Sequence, residues 1–108
     1  MKIIKGVLEE ELQNSLRMQE EYEKALAALP RGVLVKKYVK GYQYYYLMTR
    51  EGSKVRFEYK GKLLGNEIKY YDGVKKDRAK YRKLLTNVKR QIAFLQRTLN
   101  GKELRAVS

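Results

Sequence analysis

Aromatic and basic side chains are interleaved in one short part of the chain, residues 38–61. This stretch holds six of the ten tyrosines, with lysines and arginines between them. Tyrosine rings can stack on nucleic-acid bases, and lysine and arginine can bind phosphates. A tyrosine can also act as a nucleophile, but that chemistry needs activating partners in a formed pocket. The residue types therefore favour recognition of a polyanion over a reaction.

The composition argues against most catalytic and metal sites. The chain contains no cysteine and no histidine, which removes disulfides, thiolate ligands and the commonest general base and metal ligand. Its acidic residues are dense only within residues 9–11 and 20–23, where the sequence predicts a solvent-facing helix. We therefore predict a protein that is not an enzyme and that uses no cofactor or metal.

The charge is large and unevenly distributed. The net charge is +13, with −2 in residues 1–30, +7 in residues 31–65 and +8 in residues 66–108. Such a field favours nucleic acid first, anionic membrane second and an acidic protein third. We predict nucleic acid, with DNA expected, as the partner. A basic surface that serves only solubility is the simpler alternative.

No apolar run reaches the length of about 18 residues that a membrane span needs. The apolar patch near the start is too short for a signal peptide, and acidic residues follow it at once. We therefore expect no membrane partner and a cytoplasmic, bacterial protein.

The pattern of apolar residues predicts an α+β fold in a single domain, residues 1–108. A leading helix (1–30) precedes a three-stranded antiparallel β-meander (31–65), and a long basic helix with a tail (66–108) packs on one sheet face. Apolar residues at steps of three and four predict the first helix over 7–29 and the last over about 72–99. Pro30 ends the first helix, and Asn100-Gly101 ends the last. Residues 102–108 are expected to fray.

The strands are predicted at 33–40, 42–49 and 54–60, separated by glycine-containing turns. With Lys40-Gly41 as the first two-residue loop, Val39 pairs with Tyr42; with Glu51-Gly52 as the second, Arg50 pairs with Ser53. Because side chains alternate between faces, both loops place the same residues of the middle strand on the same face.

The two sheet faces differ in chemistry. One face is apolar apart from Lys37, and the helices are expected to cover it; it holds Val33, Val35, Val39, Tyr42, Tyr44, Tyr46, Met48, Val55, Phe57 and Tyr59. The other is cationic and is expected to remain open. On this hypothesis Tyr44, Tyr46 and Tyr59 are structural, whereas Tyr38 and Tyr45 are available for contact.

The predicted nucleic-acid site combines the cationic face with the start of the last helix. Arg56 is the first choice for a guanine contact, because its planar fork binds two acceptors at once. Duplex binding in the major groove and stacking of unpaired bases both stay open. The candidate residues are Lys36, Tyr38, Lys40, Gln43, Tyr45, Lys54, Arg56, Lys60, Lys75, Lys76, Arg78 and Arg82.

Six residues of the last helix follow the spacing of a coiled-coil seam: Tyr81, Leu85, Val88, Ile92, Leu95 and Leu99. The seam is expected either to be buried against the sheet or to form a homodimer. The acidic first helix makes the molecule two-sided, so the alternative function is a protein-interaction module or inhibitor. Such a protein would bind the acidic surface of a protein, or the nucleic-acid groove of a protein–nucleic acid complex. An inhibitor of a host nuclease system, encoded by a phage or mobile element, is one version of this alternative.

Short motifs along the meander carry two resemblances. They are Arg31-Gly32, Lys36-Lys37, Val39-Lys40-Gly41, Tyr44-Tyr45-Tyr46-Leu47, Arg50-Glu51-Gly52, Lys54-Val55 and Tyr59-Lys60-Gly61. Over most of its length the chain resembles a set of small uncharacterised bacterial proteins with a tyrosine-rich meander between helices, which implies an architecture and no activity. The meander-then-helix order is also similar to the arm-type DNA-binding domain of tyrosine recombinases, where the sheet enters the major groove. That likeness is topological, and the extra leading helix departs from it.

Overall fold

A computed structural model describes residues 2–101, with side chains from Ile4 onward. The elements are α1 (Lys2–Ala28), β1 (Val33–Val39), β2 (Tyr42–Glu51), β3 (Lys54–Gly61) and α2 (Gly65–Leu99). The predicted α+β fold is confirmed, although α1 and α2 both begin earlier than predicted. The expectation for residues 102–108 lies outside the described residues. No helix in the described range has an apolar stretch long enough to cross a bilayer.

The chain divides into two compact units, and α2 contributes to both. One unit contains α1 and the part of α2 from Lys80 onward; the other, Leu29–Ala79, contains the sheet and the first part of α2. The predicted segment boundary at residue 30 lies close to the boundary of these units, whereas the one at residue 65 does not, because α2 is shared between them. That the whole chain is one domain stays a prediction.

In the first unit, α1 and the second part of α2 form an antiparallel pair. Tyr22 lies beside Tyr81, with ring centroids 6.3 Å apart, and Gln91 Nε2 donates to Ser15 Oγ at 3.2 Å. The predicted seam is the buried side of this pair, since Val88, Ile92 and Leu95 are all buried. The seam is filled by packing within one chain, so the predicted homodimer through it has no support.

The face that α1 buries differs from the predicted stripe at one residue, Leu16. The stripe consists of Leu8, Leu12, Leu16, Tyr22, Leu26 and Leu29, and the other five are all partly buried. Ser15 is 1% exposed, whereas Leu16, which the prediction placed inside, is 38% exposed. The less exposed positions step by four and three residues, as they do along the seam of α2: Leu8, Leu12, Ser15, Gln19, Tyr22 and Leu26. Because Ser15 is small and polar, the pattern of apolar residues in the sequence did not show that it lies on the buried side of α1.

In the second unit, the sheet has the order β1-β2-β3. The predicted pairing of β1 with β2 is confirmed, from Val39 with Tyr42 to Val33 with Met48. Lys40 and Gly41 both have positive φ, 52° and 82°, as a two-residue hairpin turn of this hand requires.

The second hairpin turns one residue later than predicted, which shifts the pairing of β2 with β3 by two residues. Glu51 pairs with Lys54, so Gly52-Ser53 is the loop and Arg50 pairs with Val55. The same register continues to Tyr46, which pairs with Tyr59, and a β-bulge between Tyr45 and Tyr46 then brings Tyr45 opposite Gly61. A slip of two residues preserves the face of every side chain, so the predicted grouping of residues into two faces stands.

The structure reverses which of these faces is covered. Among the described residues of Leu29–Ala79, only Tyr45 (9%) and Val74 (8%) are buried. Tyr45 belongs to the face predicted to be open, together with the partly buried Leu34 and Leu47. Val74 lies on the first part of α2, which is the helical segment of this unit. From the burial of both residues we infer that this part of α2 packs on the Tyr45 side of the sheet, which we call the covered face.

Arg78 fastens α2 to the segment that leads into β1. Its guanidinium donates to the carbonyls of Pro30 (2.6 Å) and Gly32 (3.3 Å). Gly32 has φ +105°, and a Cβ there would lie 2.9 Å from both Leu47 Cγ and Thr49 Cγ2. Only glycine fits such a position, because the backbone is left-handed and the space on the covered face is already filled.

The opposite side, which we call the open face, is the one predicted to be buried. Of its described residues none is fully buried, and five are roughly half exposed or more: Val39, Tyr42, Val55, Phe57 and Tyr59. The prediction assigned the apolar stripes of both helices to this face. Instead, the second part of α2 packs with α1, and the first part packs on the covered face.

Candidate nucleic-acid interface

The open face presents an aromatic cluster, defined here as Tyr42, Tyr44, Tyr46, Phe57 and Tyr59. The Tyr59 ring lies between two neighbours, 5.3 Å from Tyr46 and 6.3 Å from Tyr44, and both pairs are tilted. Such contacts hold the rings in place while leaving much of their surface in water. The cluster therefore offers fixed aromatic surface to a ligand.

Two lysines lie over rings of this cluster. Lys37 Nζ is 4.8 Å from the centroid of Tyr46 and 4.9 Å from that of Phe57, and Lys62 Nζ is 4.8 Å from that of Tyr42. A cation over a ring is attracted by the negative charge of the ring face. The open face thus combines surface for stacking with positive charge for phosphate.

Most of the predicted strand residues belong to the covered face by their position in the strands, yet their side chains are exposed. The exposed ones are Lys36, Tyr38, Lys40, Gln43, Lys54 and Arg56. Gln43 Nε2 donates to the Tyr38 hydroxyl at 2.7 Å. Tyr45 was wrongly predicted as a contact residue, because it is the best-buried residue of the sheet.

Carboxylates already pair with two of the predicted nucleic-acid contacts of the strands. Arg56 lies 3.3 Å from Glu51, and Lys60 lies 3.1 Å from Glu58. The hydrogen bond to Glu58 raises the pKa of Lys60 above its ordinary value of 10.5, so this side chain stays cationic at neutral pH. Exposed pairs of this kind are weak, and a phosphate can displace them.

The four residues of α2 that were predicted to contact nucleic acid belong to different compact units. Lys75 and Lys76 are exposed in the unit that contains the sheet, and Lys76 pairs with Asp72 at 3.0 Å. Arg78 belongs to that unit but is committed to backbone carbonyls, so its prediction as a ligand contact is corrected to a structural role. Arg82 is exposed in the other unit.

The sequence argument missed Lys37 and Lys62 and misassigned Tyr42, Phe57 and Tyr59 to the interior. A signal for the correct face existed. Leu34 and Leu47 pair directly across β1 and β2 on the covered face, and Ile68, Tyr71 and Val74 repeat at three-residue steps. Placing the start of α2 at residue 72 removed two of these three residues from consideration.

A small open pocket lies beside the start of α2. Its lining residues are Lys60, Leu63, Asn66, Glu67, Tyr70 and Tyr71. Glu67 accepts a hydrogen bond from the Leu64 amide at 3.2 Å, so a carboxylate of the chain itself caps this helix end. Within residues 2–101 no group of acidic side chains is placed to hold a metal ion.

No protein-family model matches the chain, and no curated protein or solved structure matches it. The resemblances drawn from the meander motifs therefore stay predictions. Any functional conclusion rests on the chemistry of the two faces.

Proposed function

We propose that the protein binds nucleic acid and performs no chemistry on it. The observation that carries this proposal is the open face, where Lys37 and Lys62 lie over exposed aromatic rings. The net charge of +7 over residues 31–65 adds the long-range attraction that a polyanion needs. The chain lacks histidine and cysteine, which supports a role in binding without catalysis.

A titration at two salt concentrations tests this proposal. We expect labelled DNA or RNA to bind at low salt and to be released as salt rises, because each phosphate contact displaces a condensed counterion. Fluorescence anisotropy with single-stranded and duplex forms of both nucleic acids covers the ligand classes. Absence of binding to all four at low salt would contradict the proposal.

A protein-interaction module or inhibitor is the second candidate function. The observation in its favour is the exposure of apolar side chains on the open face, where Val39, Val55 and Phe57 are each about half exposed. Patches of this kind mark interaction sites on soluble proteins. A partner recovered from a bacterial lysate after nuclease treatment, and lost in Phe57→Ser, would favour this function over nucleic-acid binding.

A further inference from the structure

We propose that the aromatic cluster binds single-stranded nucleic acid, with unpaired bases stacked on Tyr42, Phe57 and Tyr59; this inference rests on the function proposed above. These three rings are 58%, 50% and 60% exposed. They are held in a folded sheet, so little side-chain freedom is lost when a base stacks on them. Stacking tolerates any sequence, because every base has an aromatic face.

The chemistry of the open face favours unpaired bases over a duplex. Direct readout of a duplex groove uses amide or guanidinium groups that match base edges. The strand residues at the middle of the open face provide rings and aliphatic side chains, with Lys37 as their cation. A base can use such a surface only when its own face is free, and in a duplex the neighbouring pairs occupy that face.

The two lysines supply the positive charge that the backbone of such a strand needs. Lys37 and Lys62 lie within 5 Å of ring centroids. A phosphate of a nucleotide whose base lies on one of these rings is then within reach of an ammonium group. A cation–π contact at an exposed site is weak, so each lysine can exchange its ring for a phosphate.

Substitution of Tyr59 tests the stacking directly. The probes are fluorescein-labelled oligothymidylate and oligouridylate of about 16 nucleotides, a length that spans a typical single-strand site. We expect Tyr59→Ala to raise the Kd roughly 5- to 150-fold, the range for loss of one stacked base. Tyr59→Phe keeps the ring and should bind like the wild type.

Tyr70→Ala is the matched control, because Tyr70 is 56% exposed and belongs to α2, so it is not a member of the aromatic cluster. We expect its Kd to equal that of the wild type. Circular dichroism of each variant confirms that the sheet is retained, and Phe57→Ala repeats the test at a second ring.

The outcomes separate this inference from the proposed function. Equal Kd values for Tyr59→Ala, Phe57→Ala and Tyr70→Ala, with duplex bound as tightly as single strands, overturn the stacking but leave nucleic-acid binding intact. No binding of any nucleic acid overturns both. A dimer seen by light scattering that Phe57→Ala abolishes, without any change in Kd, assigns the open face to a second copy and also overturns the inference.

Discussion

Tyr45 shows how far the role of one tyrosine depends on the parity of its position. Its neighbours Tyr44 and Tyr46 belong to the open face, while Tyr45 lies on the covered face and is 9% exposed. Three consecutive residues of the same type thus divide between the open face and the small core of the sheet, because successive side chains of a strand point to opposite faces.

Truncation of Tyr45 should therefore lower the stability of the sheet, without removing a group that contacts a ligand. We expect Tyr45→Ala to lower the free energy of unfolding by about 3 kcal/mol, the usual cost of an aromatic core deletion. Tyr45→Phe keeps the ring and should stay within about 1 kcal/mol of the wild type, with unchanged affinity for nucleic acid. Urea denaturation measures both. A stable Tyr45→Ala protein with weakened binding would return Tyr45 to the ligand surface.

Arg78 and Lys76 offer a second comparison of single residues. Each contributes one positive charge to α2, but Arg78 bonds to two backbone carbonyls and Lys76 only to the exposed Asp72. We expect Arg78→Ala to cost about 1–3 kcal/mol of unfolding free energy, since it leaves carbonyl groups without a charged donor. Lys76→Ala should cost less than about 0.5 kcal/mol. Equal thermal stability of the two variants would refute the structural role of Arg78.

At the scale of elements, the two parts of the continuous helix α2 pack against different partners. Its first part covers Tyr45, and its second part pairs with α1 through buried Val88, Ile92 and Leu95. Most of the stability of a helix in a protein comes from packing of its apolar side. The second part therefore depends on the seam.

Leu95 and its neighbour Phe94 test that dependence. Leu95 is 4% exposed and Phe94 is 55% exposed. We expect Leu95→Ala to lower the free energy of unfolding by about 2–5 kcal/mol and Phe94→Ala by less than about 1 kcal/mol. Thermal or chemical denaturation followed by circular dichroism gives both values. A larger loss for Phe94→Ala would mean that the seam runs along a different side of α2.

Local patterns predicted the elements well and their packing less well. Turn chemistry at Lys40-Gly41 was enough to give the whole β1–β2 register, because a two-residue loop fixes every later pair. The choice of covered face was wrong, since the open face contains more apolar residues than the covered one. The number of apolar residues on a face shows how favourable its burial would be. It does not show which face is buried, because that depends on where the helix packs. That position depends on contacts between residues far apart in the chain, among them the hydrogen bonds of Arg78 to Pro30 and Gly32.

At the scale of the whole molecule, charge sets the range and salt sensitivity of binding. The net charge of +13 attracts any polyanion, but only contacts made in the complex release counterions. Substitutions that remove equal charge from different places therefore separate contact from general attraction.

Lys37 and Lys89 make this comparison. Both are exposed, but Lys37 lies on the open face and Lys89 on the part of α2 that pairs with α1. We expect Lys37→Gln to reduce the slope of log K against log salt for oligothymidylate by about 0.7, the value for one phosphate of a single strand. Lys89→Gln should leave the slope unchanged. If Lys37→Gln and Lys89→Gln change the salt slope equally, binding depends on the total charge alone and not on a contact made by Lys37.

The order β1-β2-β3 leaves two outer strands whose outward backbone groups have no strand partner within the described sheet. Exposed lysines on those strands, among them Lys36 on β1 and Lys54 on β3, repel a second copy that approaches edge to edge. A ligand that neutralises these charges also removes that repulsion. If the proposed polyanion binding occurs, it would lower the same positive charge that keeps copies of the protein apart, and we would then expect aggregation to be greatest where bound polyanion just cancels the net charge.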